Sequence, residues 1–257
     1  MPASIHPTAS VHPDAQIGDG CEIGPYCVIG PNVTLGEDCW LHSHVVIDGH
    51  TRLGRGNRIY PFASLGLRTQ DLKWKGGLTR VEIGDENTIR EGVTIHSATA
   101  DGGVTRVGSH NNLLAYAHVA HDCHLGNHII MSNFSGLAGH VAVEDHAILG
   151  GYVAVHQFCR LGTMCMLGGC TKVRQDVAPY MLVDGDPGRT RTINKIGLER
   201  RGVPPESVAA LKQAYKLLFR EGLTVPNALA RIEAELPPLP EIRHLLQFVR
   251  AAERGIC

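Results

Sequence analysis

The sequence predicts an all-β parallel β-helix followed by a small α-helical C-terminal domain. Three observations lead to this prediction: an aliphatic residue recurs every six positions, Gly often follows it, and the period becomes helical near residue 204. The chain has 257 residues and a formal net charge of -1, so its overall charge gives no reason to expect nucleic-acid binding.

The six-residue repeat begins at Ile5 and runs to Val173. In this register 26 of the 29 positions are aliphatic or Met, and the exceptions are Asp71, Gly77 and Asp101. A helix cannot use this period, because six residues turn about 600° and place successive apolar residues on three sides. Gly follows the aliphatic residue at 12 of the 26 sites, which breaks any long strand. Short strands and turns therefore close into triangular coils, which stack ~4.8 Å apart.

The fourth residue after each aliphatic position is also small or medium-sized. Six of the eight Cys lie in this second register, namely Cys21, Cys27, Cys39, Cys123, Cys159 and Cys165. Cysteine counts can signal disulfides or metal sites, but a shared repeat position predicts small residues that fill the core. Cys170 and Cys257 lie outside the register and form no spaced ligand set.

Two interruptions and a change of period define the domain organisation. The stretches 66–80 and 97–106 replace whole repeats without loss of phase, which predicts loops that project from the coil and can carry binding groups. From Pro204 the apolar residues step by three and four, and further helices are expected near 225–236 and 239–253. We therefore assign residues 1–186 to the β-helix and residues 187–257 to the C-terminal helical domain.

The segment between these regions is basic. It contains Arg189, Arg191, Lys195, Arg200 and Arg201. This cluster is either a solvated basic face or a site for phosphates or an acidic carrier protein.

The sequence predicts a cytoplasmic protein. No basic segment followed by an apolar one marks a secretory signal near Met1, and no apolar run is long enough to span a membrane. No membrane span is therefore expected.

The densest polar cluster surrounds His121, and histidine is the side chain best suited to proton transfer near neutral pH. Residues one coil apart should lie above one another, which puts His121, Gly139 and Gln157 in one column. The same rule stacks Asp122 on His140. A base beside a free backbone N–H group is what acyl transfer from a thioester requires.

The Ile-Gly repeat resembles that of the hexapeptide-repeat acyltransferases. This resemblance implies a left-handed coil and a homotrimer. One family with this repeat binds zinc through three histidines and hydrates carbon dioxide, and His118, His121 and His124 suggest the same. His118 and His124 are six residues apart and so lie on different faces, although neighbouring subunits could supply the missing ligands. The sequence therefore leaves three alternatives: an acyltransferase, a zinc enzyme with the same coil, and a catalytically inactive scaffold.

The whole chain also resembles the bacterial UDP-N-acetylglucosamine acyltransferases, which carry out the first step of lipid A biosynthesis. The stretches that carry the resemblance are 43–46, 70–73, 94–96, 117–123, 137–140, 154–158 and 200–202. The resemblance implies a homotrimer that binds UDP-N-acetylglucosamine and an acyl carrier protein loaded with a 3-hydroxyacyl thioester. It implies no metal, no cofactor and no nucleic-acid partner.

The resemblance also implies roles for individual residues. His121 would be the general base that takes the proton from the glucosamine 3-hydroxyl group, Asp122 would support it, and the Gly139 N–H group would stabilise the oxyanion. The implied substrate-binding residues are Asp71, Lys73, His118, His140, His156, Gln157, Gly169, Asn194 and Arg200. Arg200 would meet the phosphates, and Gly169 would lie at the floor of the acyl groove, where a larger residue shortens the accepted chain.

The sequence departs from the family pattern near the expected sugar site. Asp186 and Pro187 stand where the family usually has Asn and His, and Ile196 stands where an acidic residue is frequent. The acceptor is therefore either the 3-hydroxy sugar or a 3-amino sugar. Gly169 predicts a longer 3-hydroxyacyl group.

Overall fold

The computed structural model describes all 257 residues as a left-handed parallel β-helix followed by a short hairpin and four helices. The predicted fold class is therefore confirmed. The repeat explains the architecture, because each coil consists of three short strands with an aliphatic residue pointing inward.

The strands are short, and most contain two residues. In chain order they are β1 (Ser4–Ile5), β2 (Ser10–Val11), β3 (Gln16–Ile17), β4 (Glu22–Ile23), β5 (Val28–Ile29), β6 (Thr34–Leu35), β7 (Trp40–Leu41), β8 (Val46–Ile47), β9 (His50–Leu53), β10 (Arg58–Ile59), β11 (Ser64–Leu67), β12 (Arg80–Ile83), β13 (Thr88–Ile89), β14 (Thr94–His96), β15 (Val104–Val107), β16 (Asn112–Leu113), β17 (His118–Val119), β18 (His124–Leu125), β19 (Ile130–Met131), β20 (Gly136–Leu137), β21 (Ala142–Val143), β22 (Ile148–Leu149), β23 (Ala154–Val155), β24 (Arg160–Leu161), β25 (Met166–Leu167), β26 (Lys172–Val173), β27 (Met181–Asp184) and β28 (Arg189–Ile193).

Every third strand joins the same sheet, which makes a three-sided prism. Sheet 1 has 11 strands, from β1 through β25 and on to β27 and β28; sheet 2 has 9, from β2 to β26; and sheet 3 has 8, from β3 to β24. His118 pairs with Gly136, which lies one coil of three repeats later. Where a loop is inserted the pairs are Ser64 with Thr94 and Thr94 with His118, so each loop lengthens its coil by a whole number of repeats. This arithmetic explains why the repeat keeps its phase.

The interior of the prism is filled by the two registers that the sequence revealed. The six cysteines of the second register are fully buried, and all eight cysteines of the chain are free. Burial raises the pKa of the Cys123 thiol to about 12, so this group is an inert core thiol at neutral pH. The prediction that these cysteines are core-filling residues is confirmed.

The turns form three corners along the prism, named here by their order in the chain: the first lies between sheets 1 and 2, the second between sheets 2 and 3, and the third between sheets 3 and 1. The residue before each buried small residue often has a positive φ, for example His44 at 60° and Asp122 at 58°. Asp and His are enriched in this left-handed conformation, so the backbone geometry of the turn by itself accounts for their presence there. The stacked turn residues are Tyr116, Phe134 and Tyr152 at the first corner, Asp122, His140 and Phe158 at the second, and His110, His128 and His146 at the third.

Both inserted loops leave the prism at the second corner. Loop 1 joins β11 to β12 and covers residues 68–79, and loop 2 joins β14 to β15 and covers residues 97–103. The two loops lie against each other, since the Leu78 N–H group donates to Asp101 Oδ1 at 2.7 Å and the Gly102 N–H group donates to the Leu78 carbonyl at 2.8 Å.

The helices follow the prism. They are α1 (Lys195–Arg200), α2 (Pro205–Phe219), α3 (Val225–Glu235) and α4 (Pro240–Arg250). The three helices that the sequence predicted are present, whereas the basic bridging segment forms the antiparallel hairpin β27–β28 and the short helix α1. Arg160 anchors α4 to the prism, because it pairs with the buried Asp176 at 2.9 Å and lies 4.1 Å from the ring of Phe248. None of the helices has the length and apolar character needed to cross a membrane.

Candidate active site

The second corner holds the polar cluster that the sequence singled out. His121 Nδ1 lies 2.8 Å from Asp122 Oδ2, and His121 Nε2 lies 3.8 Å from Asp71 Oδ2 in loop 1. The His121 side chain is only 14% exposed. The imidazole is therefore flanked by a carboxylate at each ring nitrogen, and the Nδ1 contact favours a tautomer whose Nε2 lone pair is free to accept a proton.

Gly139 lies directly against the His121 ring, one coil further along. A Cβ atom at Gly139 would lie 2.3 Å from His121 Cε1, so only glycine leaves room for the imidazole. The Gly139 carbonyl accepts a hydrogen bond from the Phe158 N–H group, but the Gly139 N–H group makes no hydrogen bond within the chain. A free N–H donor therefore sits beside the base, which is the arrangement that stabilises an oxyanion.

Asp122 is held from several directions. Its N–H group donates to Thr105 Oγ1 at 2.8 Å, and its Oδ2 atom accepts from the Thr99 N–H group at 3.1 Å. His140 Nε2 lies 3.7 Å from the same Oδ2 atom, and the His140 ring stacks on Phe158 with centroids 4.6 Å apart. Asp122 is therefore fixed both by the prism and by loop 2.

His118 lies on the outer face of sheet 2, next to the buried His96. Its Nδ1 atom lies 2.7 Å from Thr94 Oγ1, and the rings of His96 and His118 meet edge to face at 5.2 Å. Burial, together with the neighbouring His96 and His121, lowers the pKa of His118 to about 4. Burial also lowers the pKa of His96. His118 is therefore neutral near pH 7 and serves as a hydrogen-bonding group.

Sequence reasoning assigned no role to Thr69 and Thr99, which join the two loops behind this cluster. Thr69 Oγ1 lies 3.0 Å from Thr99 Oγ1, and Thr69 is buried. The Asp71 N–H group donates to Thr69 Oγ1 at 3.0 Å. Nothing in the sequence signals this contact, because the two threonines are distant in the chain and lie in loops of irregular backbone.

Several predicted residues do not lie at the second corner of this chain. Gly169 is exposed at the first corner, where a Cβ atom would lie 3.5 Å from the Gly151 carbonyl oxygen. Asn194 is buried near the third corner, where its amide donates to the Met164 carbonyl at 2.9 Å and its Oδ1 atom caps α1. Arg200 ends α1 and is exposed.

The other predicted residues lie on or near the second corner. Lys73 is exposed in loop 1, and its N–H group donates to Asp71 Oδ1 at 2.9 Å. His156 and Gln157 are exposed two coils beyond the base, and His156 Nδ1 lies 3.1 Å from the Gln157 carbonyl. They lie in the turn between β23 and β24, at the same corner as His121.

The same cluster contains a set of groups that could hold a metal ion. Ligand atoms of His121, Asp122 and His140 all lie within 4.8 Å of one another. The set that the sequence suggested for zinc is different, and the structure separates it, since His118 lies on sheet 2 and His124 on sheet 3. Two histidines and a carboxylate are a known zinc ligand set, so the donor atoms at this corner fit a zinc ion as well as a proton-transfer site.

Comparison with known proteins identifies the family. A curated acyl-[acyl-carrier-protein]–UDP-N-acetylglucosamine O-acyltransferase of Synechocystis is 44% identical over 206 residues, which is 80% of this chain and 74% of the relative. The chain belongs to the UDP-N-acetylglucosamine acyltransferase family. A model described as UDP N-acetylglucosamine O-acyltransferase, domain 2, matches residues 176–257, and a model of bacterial transferase hexapeptide repeats matches residues 2–37.

Solved structures of this family have the same fold. The UDP-N-acetylglucosamine acyltransferase LpxA of Bacteroides fragilis superposes with a TM-score of 0.97 at 41% identity, with 98% of this chain and 99% of that chain covered. LpxA of Acinetobacter baumannii gives a TM-score of 0.95 at 44% identity, with 98% of both chains covered. The family assignment thus covers the prism, the loops and the helices together.

Proposed function

We propose that this chain transfers a 3-hydroxyacyl group from acyl carrier protein to the 3-hydroxyl group of UDP-N-acetylglucosamine, the first step of lipid A biosynthesis. The observation that carries the proposal is the contact of His121 with both Asp122 and Gly139. Family membership supports the reaction class, and the geometry at this corner supports His121 as its general base.

The proposed step needs no covalent enzyme intermediate. His121 Nε2 accepts the proton of the sugar 3-hydroxyl group while that oxygen attacks the thioester carbonyl carbon. The C–S bond of the tetrahedral intermediate then breaks, and the carrier thiolate takes the proton back from the imidazolium. A positioned base of this kind contributes about 10²–10⁴ in rate.

Two further groups act on the charges that develop. The Gly139 N–H group donates to the oxyanion, and removal of such a donor typically costs about 10²–10³ in kcat. Asp122 stabilises the imidazolium through Nδ1 and holds the productive tautomer. Asp71 and Lys73 of loop 1 then contact the sugar, His118, His140 and Gln157 line the pocket, and His156 contacts the nucleotide portion.

A homotrimer completes the site. In one chain Gly169 lies at the first corner, Asn194 lies near the third corner and Arg200 ends α1, so we infer that a second copy brings these residues to the base. Exposed apolar surface also supports assembly, since the stacked rings of Tyr116, Phe134 and Tyr152 at the first corner are between 46% and 63% exposed. Exposed apolar surface of this kind marks an interface. We place the protein in the cytoplasm, where acyl carrier protein and nucleotide sugars are available.

The decisive experiment incubates the full-length protein with UDP-N-acetylglucosamine and a panel of 3-hydroxyacyl carrier proteins. Mass spectrometry should detect an acylated UDP-sugar, and His121→Ala should abolish it. His124→Ala is the matched control, because His124 is exposed on sheet 3 and should leave turnover unchanged.

Four outcomes would contradict parts of the proposal. Product formation with only the 3-amino sugar would reassign the acceptor, and full activity in His121→Ala would remove its role as base. The absence of product with every acyl chain would refute the proposed reaction. Light scattering should give three times the chain mass of 27.7 kDa, and a monomer that remains active would contradict the shared site.

A further inference from the structure

We infer that the hydroxyl pair Thr69–Thr99 is a positioning element that holds both carboxylates against His121. In loop 1 the Asp71 N–H group donates a hydrogen bond to the Thr69 hydroxyl group. In loop 2 the Thr99 N–H group donates a hydrogen bond to the Asp122 carboxylate. The inference rests on the proposed role of His121 as general base, and it assigns a function to two residues outside the reacting groups.

The contacts form a closed ring around the base. From Asp71 they pass through its N–H group to Thr69 Oγ1 at 3.0 Å, across the hydroxyl pair at 3.0 Å, and from the Thr99 N–H group to Asp122 Oδ2 at 3.1 Å. Asp122 Oδ2 then contacts His121 Nδ1 at 2.8 Å, and His121 Nε2 faces Asp71 Oδ2 at 3.8 Å. The hydroxyl pair is the only link of this ring that joins the two loops.

The hydroxyl pair cannot be replaced by water at low cost. Thr69 is only 4% exposed, and its oxygen accepts from the Asp71 N–H group and shares a second hydrogen bond with Thr99 Oγ1, in which either hydroxyl group can donate. Removal of either hydroxyl group leaves a buried donor or acceptor without a partner, and the loops have to separate or rearrange. The distance between the two carboxylates would then change.

Displacement of the carboxylates affects His121, the proposed general base. A carboxylate that moves away from the ring stabilises the imidazolium less, and a looser Asp122 holds the productive tautomer less well. The Thr99 variant should therefore have a slower chemical step with little change in substrate binding. The Thr69 variant also displaces Asp71, which contacts the sugar in the proposed complex, so it should bind the substrate less tightly as well.

The experiment compares Thr69→Val and Thr99→Val with the full-length wild-type protein. We expect each substitution to lower kcat about tenfold, which is the effect of one lost hydrogen bond. KM should stay constant in Thr99→Val and rise in Thr69→Val. The acid limb of the plot of kcat/KM against pH should move to lower pH. In the proton NMR spectrum, the downfield resonance of the His121 Nδ1–H group should lose intensity. The last readout needs no substrate, so it stands apart from the proposed reaction.

Two matched variants separate positioning from general loop stability. Thr99→Ser keeps the hydroxyl group and should restore kcat and the pH profile. Thr79→Val removes the other hydroxyl contact between the loops, from Thr79 Oγ1 to Ser97 Oγ at 3.1 Å, which touches neither carboxylate. This variant should lose some thermal stability and keep the wild-type pH profile.

The inference is overturned if Thr69→Val and Thr99→Val keep the wild-type kcat and pH profile, or if Thr79→Val changes them equally. If Thr69→Val does not fold, Thr99→Val decides alone. Loss of activity in His121→Ala alongside unaffected threonine variants would refute only this inference, whereas full activity in His121→Ala would refute the proposed base itself.

Discussion

His121 Nδ1 lies 2.8 Å from Oδ2 of Asp122, the next residue in the chain. Adjacent side chains of a strand point to opposite faces, so such neighbours do not normally meet. Here Asp122 has a φ of 58° at the turn between β17 and β18, which brings its carboxylate back towards the ring. The turn at this corner therefore also brings His121 and Asp122 together as a hydrogen-bonded pair, called here the dyad.

Replacement of Asp122 by Asn should disable the dyad while conserving its shape. The amide can donate to Nδ1 and leave the proton on Nε2, so we expect kcat to fall about 10²-fold or more, within the contribution of a general base. Steady-state kinetics measure this change. Asp14→Asn is the control, because Asp14 is 79% exposed at the same corner near the start of the prism. Equal losses in both variants would contradict a specific role for Asp122.

Gly139→Ala should displace the His121 ring. The added methyl group would meet ring atoms at 2.3 Å, and such overpacking costs about 1–3 kcal/mol. We expect a lower Tm and the loss of most activity. Gly136→Ala is the matched control for stability, since a Cβ atom there meets nothing within 4 Å and Tm should hardly change. A wild-type Tm for Gly139→Ala would show that the ring adapts.

Protonation of His118 should make the fold weaker in acid. Its pKa is about 4 in the folded chain and about 6.5 when unfolded, so between these values the unfolded state binds more protons. The free energy of unfolding should fall as the pH drops from about 6.5 to about 4, and His118→Gln should make this fall shallower. Denaturant titrations at several pH values test this expectation, with pH 7.5 as the internal reference. Parallel pH slopes for both proteins would contradict it.

Removal of metal ions should leave transferase activity unchanged, because the proposed step uses His121 as a base and needs no Lewis acid. Dialysis against a chelator followed by metal analysis and assay tests this expectation. Activity that disappears and returns with Zn²⁺ would instead favour metal chemistry at His121, Asp122 and His140, whose ligand atoms lie within 4.8 Å of one another.

Gly169→Met should shorten the preferred acyl chain. Gly169 is exposed, and a Cβ atom would lie 3.5 Å from the nearest carbonyl oxygen, so the backbone accepts a side chain without strain. A larger side chain would fill part of the proposed groove. Competition between 3-hydroxyacyl carrier proteins of different length measures the change. An unaltered chain preference would remove Gly169 from the groove.

The sequence by itself determined the prism and the central part of the site. A period of six, continued in phase through both loops, requires stacked coils, and a spacing of one full coil places Gly139 beside His121. These predictions succeed because every coil repeats the same backbone geometry, so distance along the chain converts directly into position. The same rule separated His118 from His124.

Only the tertiary structure decided what the irregular segments do. It made a hairpin and the helix α1 from the basic segment, and it brought both loops to the second corner. It also joined Thr69 to Thr99 and placed Asp71 at the second nitrogen of His121. Loops follow no period, so their contacts depend on packing against distant parts of the chain.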